Sequence, residues 1–282
     1  MTARTLDGKV LAESIYAELE VKVRARLEAR RTRPCLATVL VGDDAASATY
    51  VRMKQKNAER VGIASSDHRL PATATTEEVV ALVSELNANE DVSAILVQMP
   101  MPAQVDSEVV IEAISPVKDV DGLHPFNAGR LSLGEPTVKP CTPAGVMALL
   151  EHHEVPVAGR RAVIVGRSNL VGKPIALLLL RAHATVTICH SRTEGIDAIC
   201  RDADVLVSAI GKTFYIEPDW VKPGAAVIDV GVSHLDGRPV GDVAPSVAEV
   251  AGWLTPSPGG VGPMTRAMLV RNTYDAEVRR RP

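Results

Sequence analysis

Short aliphatic runs alternate with segments whose apolar positions recur every three or four residues, almost from end to end of the 282-residue chain. That alternation predicts parallel sheets with helices on both faces. Leu11, Ile15, Leu19, Val23 and Leu27 form the first stripe, at four-residue spacing, and predict a helix. LATVLVG (36–42) predicts a buried strand. Helices are expected over about 47–61 and 76–86, the second announced by Thr75 with Glu78 three positions on, a capping box. SAILVQ (93–98) predicts another buried strand, and Asp106 opens a helix to Ile114. Regularity lapses over 115–141, a stretch rich in Pro, Gly and Asp and therefore the expected domain junction. Thr142-Pro143 then reads as an N-cap with proline in the first helical position. RAVIVG (161–166), ATVTIC (184–189), ADVLVSAIG (203–211) and AAVIDVG (225–231) predict four parallel strands, with helices between the first three. A shorter segment precedes the fourth, and a last helix is expected over about 264–279. The fold class is α/β, in two domains.

Composition narrows the function. The chain is 46% hydrophobic with 3% aromatic residues and a net charge of −3, a poor match to a nucleic-acid binder that stacks bases on rings. Arg279, Arg280 and Arg281 make a small basic tail, expected to be a frayed, solvated end. Cys35, Cys141, Cys189 and Cys200 are scattered without metal-ligand spacing and read as buried thiols of a reducing compartment. No metal site is expected. MTARTLDGKV lacks the apolar stretch of a secretory signal, and the aliphatic run over 175–180 is too short to cross a bilayer. Cytoplasmic location and no membrane partner follow.

RAVIV runs into Gly166-Arg167-Ser168-Asn169-Leu170-Val171-Gly172-Lys173-Pro174 and then an aliphatic helix, the context of a nucleotide-binding turn. The glycines allow a tight bend, and the helix N-terminus attracts pyrophosphate. Ser168 stands where the dinucleotide fingerprint has its second glycine, and Gly172 comes one residue late. A tight strand-to-helix turn without a ligand is the competing reading. The next strand ends Cys189-His190-Ser191-Arg192-Thr193, with no carboxylate for a ribose 2′-hydroxyl. Arg167, Ser191 and Arg192 could instead donate to a 2′-phosphate, which favours NADP over NAD.

Tyr50 and Lys54 sit one turn apart and share a helix face; on spacing alone they read as part of a solvated face. Gln98 follows a buried run at the carboxyl end of a strand, where open α/β sheets bind ligands. Lys118-Asp119-Val120-Asp121-Gly122 lies in the junction, with an Asp-Gly turn as the alternative. Gly259, Gly260 and Gly262 precede the last helix, marking either a close approach or a sharp turn.

Together these segments resemble one family, the bifunctional methylenetetrahydrofolate dehydrogenase–methenyltetrahydrofolate cyclohydrolases. The likeness rests on YVRMK (50–54), VQMPMP (97–102), KDVDGLHPFNAGRL (118–131), PCTPAG (140–145), VGRSNLVGKP (165–174), CHSRT (189–193), GDV (241–243) and TPSPGGVGPMT (255–265). They stand in family order and span nearly the whole chain. Met99 and Met101 replace the family's usual leucines, a change of little volume.

The resemblance implies a folate-binding catalytic domain over 1–120, joined by the C-terminal helix 264–282. A cleft would separate it from a Rossmann-like NADP-binding domain over 140–263. It implies Lys54 as the acid–base group, Tyr50 stacking along the substrate and Gln98 orienting Lys54. Asp121 would accept from the pterin edge, and the Gly259-Gly260 backbone would line the folate site. Gly166, Arg167, Ser168, Ser191 and Val232 would contact NADP. The implied reactions are oxidation of 5,10-methylenetetrahydrofolate and hydrolysis of the methenyl product to 10-formyltetrahydrofolate. The second needs proton traffic near neutral pH, for which a partly buried lysine beside the methenyl cation is suited. The family is typically homodimeric. Two other readings remain: an NADP oxidoreductase acting on a hydroxy or amino acid, and a non-catalytic NADP- or folate-binding protein. The first would be expected to show a Lys–Asp pair or carboxylate-binding arginines, and the second to lack Lys54, Gln98 or Asp121.

Overall fold

The computed structural model describes residues 2–281, so Met1 and Pro282, the outer limits of the expected domains, lie outside the described residues. In chain order the elements are β1 (Arg4–Thr5), α1 (Gly8–Glu28), β2 (Cys35–Val41), α2 (Ala45–Arg60), β3 (Ala64–Leu70), α3 (Thr76–Ala88), β4 (Ala94–Val97), α4 (Ser107–Ala113), α5 (Pro125–Ser132) and α6 (Cys141–His152). They continue with β5 (Arg161–Val165), α7 (Gly172–Arg181), β6 (Thr185–Cys189), α8 (Ile196–Arg201), β7 (Val205–Ser208), β8 (Ala226–Asp229), β9 (Ser233–Leu235), β10 (Arg238–Val240), β11 (Trp253–Leu254) and α9 (Val261–Arg280). The chain divides into two compact units, one of residues 13–141 with 266–281, the other of residues 2–12 with 142–265. Among the described residues no helix is long and apolar enough to cross a membrane.

The first unit is built on a parallel sheet in the order β3-β2-β4. The aliphatic runs of β2 and β4 are covered on both faces, as a buried parallel strand requires. Val39, Val41 and Val97 pack with Val79, Val83 and Leu86 of α3 and Val110 of α4. The capping box forms: the Thr75 hydroxyl accepts from the Glu78 N–H, and the Glu78 carboxylate accepts from the Thr75 N–H. Asp106 likewise caps α4, accepting from Glu108 and Val109. In α1, Leu11 to Val23 of the stripe are buried, whereas Leu27 is 39% exposed. A four-residue step advances about 40° round a helix, so the stripe leaves the core by its last member.

The basic end of the chain is not frayed. Arg280 donates to the Val92 carbonyl, and both Arg280 and Arg281 pair with Glu90. Beneath them the buried Glu277 carboxylate holds Arg26 at 3.2 Å, Ser93 at 2.8 Å and the Thr32 hydroxyl, tying α9 to α1 and the start of β4.

The second unit carries a six-stranded parallel sheet in the order β1-β11-β8-β7-β5-β6. The four expected strands form its body, and two-residue strands β11 and β1 extend it beyond β8. Its core packs Val163, Val165, Leu206 and Val227 against Ile216, Val221 and Val247. The starts of two helices differ from the sequence reading. α6 begins at Cys141, so Thr142 and Pro143 lie inside its first turn, where a missing N–H costs nothing. Thr142 is no N-cap; its hydroxyl pairs with that of Thr265 at 2.9 Å. α9 begins at Val261, three residues early.

Candidate active site

Asp44 opens α2 by accepting from the Ser47 N–H at 2.7 Å, and the helix carries Tyr50 and Lys54 on one face. Tyr50 is 44% exposed and Lys54 half-buried. Gln98 continues β4, its backbone N–H donating to the Val39 carbonyl. The Gln98 side-chain NH2 donates to the Met99 carbonyl at 2.5 Å, which leaves Oε1 to accept from the Lys54 amine at 3.0 Å. An amide has one face of each kind, so Met99 sets which face the lysine meets.

The junction answers which aspartate serves the turn. Asp119 accepts from the N–H groups of Gly122 and His124 and from Asn127, at 2.9–3.0 Å. Buried Lys118 anchors the segment, donating to the carbonyls of Leu86, Asn87 and Asn89. Asp121 is thereby free of turn duty. Its carboxyl is pushed up by burial, against the opposing pull of the Lys54 charge, while the Cys141 thiol donates to the Val120 carbonyl at 3.3 Å. Lys54, Gln98 and Asp121 thus form one cluster, with Tyr50 a turn away. Gly259 and Gly260 belong to the other unit, where the Gly8 N–H donates to the Gly259 carbonyl at 3.2 Å and a side chain on Gly8 would strike the Gly260 carbonyl. The approach those glycines permit includes that of the chain's own α1.

In the second unit, β5 turns into α7 through a loop that admits no bulk. A Cβ on Gly166 would strike the Ala209 carbonyl, and one on Gly172 the Gly166 carbonyl. Gly172 therefore does the close-packing work of a fingerprint glycine despite its late position. Ser168 closes the turn differently from a glycine, its hydroxyl accepting from the N–H groups of Val171 and Gly172 at 3.1 and 3.4 Å. Beside this turn lies a cavity of about 340 Å³, lined by Gly166, Arg167, Ser168 and Ser191. Lys212, Tyr215 and His190 also line it, and among its described lining residues none is acidic. The His190 ring accepts from the Arg192 N–H, and the His190 N–H donates to the Thr193 hydroxyl, shaping the loop that exposes Ser191. Val232 is not in the lining; it is exposed, and its neighbour Ser233 donates to the Gly211 carbonyl beside the cavity. Lys212 and Tyr215 were not singled out in the sequence. Their one signal is a Gly-Lys pair just past the carboxyl end of a buried strand.

Residues 6–121 match the family model of the tetrahydrofolate dehydrogenase/cyclohydrolase catalytic domain, and residues 140–281 match that family's NAD(P)-binding domain. The chain belongs to the tetrahydrofolate dehydrogenase/cyclohydrolase family. It is 51% identical over 278 residues to the bifunctional protein FolD of Ruminiclostridium cellulolyticum, covering 98% of each chain. Among solved structures, the bifunctional methylenetetrahydrofolate dehydrogenase/cyclohydrolase of Campylobacter jejuni is 43% identical, with a TM-score of 0.97 over 99% of both chains. The Trypanosoma brucei enzyme, solved with NADP and an inhibitor, is 39% identical, with a TM-score of 0.94 over 99% of both chains. Identity of about half over nearly the whole chain to bifunctional relatives, with the NADP-bound structure among the likenesses, makes the chain a bifunctional, NADP-dependent enzyme. It oxidises 5,10-methylenetetrahydrofolate to the methenyl form and hydrolyses that to 10-formyltetrahydrofolate.

Proposed function

We propose that Lys54 moves the protons of the hydrolytic step, that Gln98 orients it, and that Tyr50 and Asp121 hold the folate. The observation that carries this reading is the 3.0 Å bond from the Lys54 amine to Gln98 Oε1, with the Asp121 carboxyl within electrostatic reach. Asp121 suits the pterin edge because its carboxylate can accept two adjacent N–H donors. Tyr50, exposed on the same helix face as Lys54, offers a ring to the substrate. In the hydrolytic step water bonds to the methenyl carbon as its proton leaves for the Lys54 amine. The carbon–N5 bond then breaks as N5 takes that proton back from Lys54 and the hydroxyl proton leaves to solvent, closing the formyl C=O on N10.

When bound, NADP supplies the hydride acceptor at nicotinamide C4. The cavity beside Gly166 fits that cofactor, because Arg167 and Ser191 supply donors for a 2′-phosphate and no carboxylate opposes one. We assign cofactor contacts to Gly166, Arg167, Ser168, Ser191 and Val232, and a folate-lining role to the backbone of Gly259 and Gly260. Residues 1–120, apart from the segment over 2–12 that folds with the other unit, would serve with the helix over 264–282 as the catalytic domain, and 140–263 as the cofactor domain. A preference for NADP over NAD belongs to this proposal. So do a cytoplasmic location and service to purine biosynthesis, which consumes formyl groups at this oxidation level. A homodimer also belongs here, in keeping with the uncovered edge of β6, where Ile188 is 39% exposed.

The test is near-ultraviolet absorbance on mixing the protein with methylenetetrahydrofolate and either NADP or NAD. A methenyl signal that rises with NADP and then decays is expected. Equal signals with both cofactors would remove the 2′-phosphate assignment, and no signal with either would remove the whole reading.

A further inference from the structure

The GDV segment over 241–243 plays no part in the chemistry above, yet it holds a fully buried carboxylate whose partners are all neutral. Asp242 accepts from the Ser208 hydroxyl at 2.9 Å and from the backbone N–H groups of Ile210 and Lys212, both at 2.8 Å. Its own N–H donates to Asp229, whose carboxylate also accepts from Val243. Room for the two acids comes from missing side chains. A Cβ on Gly231 would overlap the Asp242 carboxylate, and one on Gly241 the Asp229 carboxylate. A buried charge persists when hydrogen bonds replace its hydration. Here those bonds run to the segment after β7, of which Ile210 and Lys212 line the cavity. The Lys212 amine, exposed, lies over the Tyr215 ring at 5.3 Å, and Tyr215 lines the same cavity.

We infer that Asp242 is a positioning residue of the cofactor site: it presets the 208–212 segment and thereby holds the Lys212 ammonium at the cavity, where it binds a phosphate of the dinucleotide. Asp242 reaches the cofactor through two backbone N–H groups and never touches it. This rests on the reading that the cavity takes NADP. The experiment is fluorescence titration of NADPH into the full-length protein carrying Arg167→Ala, Lys212→Met, Asp242→Asn, or the last two together. Lys212→Met and Asp242→Asn should each weaken NADPH about tenfold, the scale of one charged hydrogen bond. The double variant should fall well short of the product of the two, because one residue acts through the other. In steady state Asp242→Asn should raise the KM for NADP while kcat at saturation changes by less than about twofold.

Wild-type NADPH affinity in Asp242→Asn, or full additivity in the double variant, would overturn the inference. Should Asp242→Asn not fold, Lys212→Met decides alone: a loss of about tenfold supports the phosphate contact, and wild-type affinity refutes it. If Arg167→Ala binds NADPH as the wild type does, the parent reading of the cavity has failed. If Arg167→Ala is weakened and Lys212→Met is not, this inference alone has failed.

Discussion

The amide of Gln98 has its donor taken by the Met99 carbonyl and its acceptor turned to Lys54, so one side chain converts a strand end into a fixed seat for an amine. The sequence exposed the two partners but not this division of labour, which depends on a carbonyl one residue away. KDVDG posed a similar ambiguity. Either aspartate could have closed the turn, and the hydrogen bonds to Asp119 leave Asp121 for other work. At the cofactor turn, Ser168 was legible as a replacement for glycine, while its role as acceptor for two N–H groups was not. Lys212 escaped notice because a lysine after a strand is common on solvated surfaces. Arg167→Ala should raise the KM for NADP by about tenfold or more and that for NAD by less than about threefold, the guanidinium–phosphate bond being the difference. Steady-state kinetics with both cofactors checks it, and equal losses would move the 2′-phosphate elsewhere.

Elements with long aliphatic runs or strong caps were legible: β2, β4, α3 and the body of the larger sheet stand where their patterns put them. β3 was missed because ASSDHRL has no aliphatic run. Its strand character comes from pairing with β2 along seven residues, and its outer positions Asp67 and Arg69 pair with each other. β1 and β11 have two residues each, too few for any period. The arginine tail was misread because its partners Glu90 and Val92 lie far away in sequence, and charge alone cannot distinguish a solvated end from a docked one. The buried Glu277 cluster gives that docking its consequence. Glu277→Ala leaves Arg26 buried without its carboxylate, so stability should fall by about 3–5 kcal/mol. Urea denaturation measures this, and a loss below about 1 kcal/mol would mean the cluster is idle.

At the scale of the molecule, alternation of strands and helices was enough to give an α/β chain with two domains, and ordered motifs were enough to give the family. The exact division of the chain was not legible, because α1 and α9 each contribute residues to both units and a helical pattern carries no mark where that changes. Acid response is also a property of the whole fold. Burial raises the Asp229 carboxyl from 3.8 to about 6. A carboxyl raised on folding favours the folded state while protonated, so its contribution is complete below about pH 4 and disappears as pH rises to about 6. Surface acids such as Glu13 and Asp204, lowered by their Arg60 and Lys222 partners, act in the opposite direction. Comparison of the wild type with Asp229→Asn therefore isolates the effect. Between pH 4 and 6 the wild type should lose stability relative to the variant, and parallel profiles would refute the buried-acid account.

The proposed role of Lys54 is tested most directly by methenyltetrahydrofolate hydrolysis in Lys54→Met, followed by the decay of its absorbance. General acid–base groups contribute about 10²–10⁴ in rate, so hydrolysis should fall by at least about a hundredfold while NADPH binds within about twofold of the wild type. Hydrolysis near the wild-type rate in a variant that still binds NADPH would contradict it.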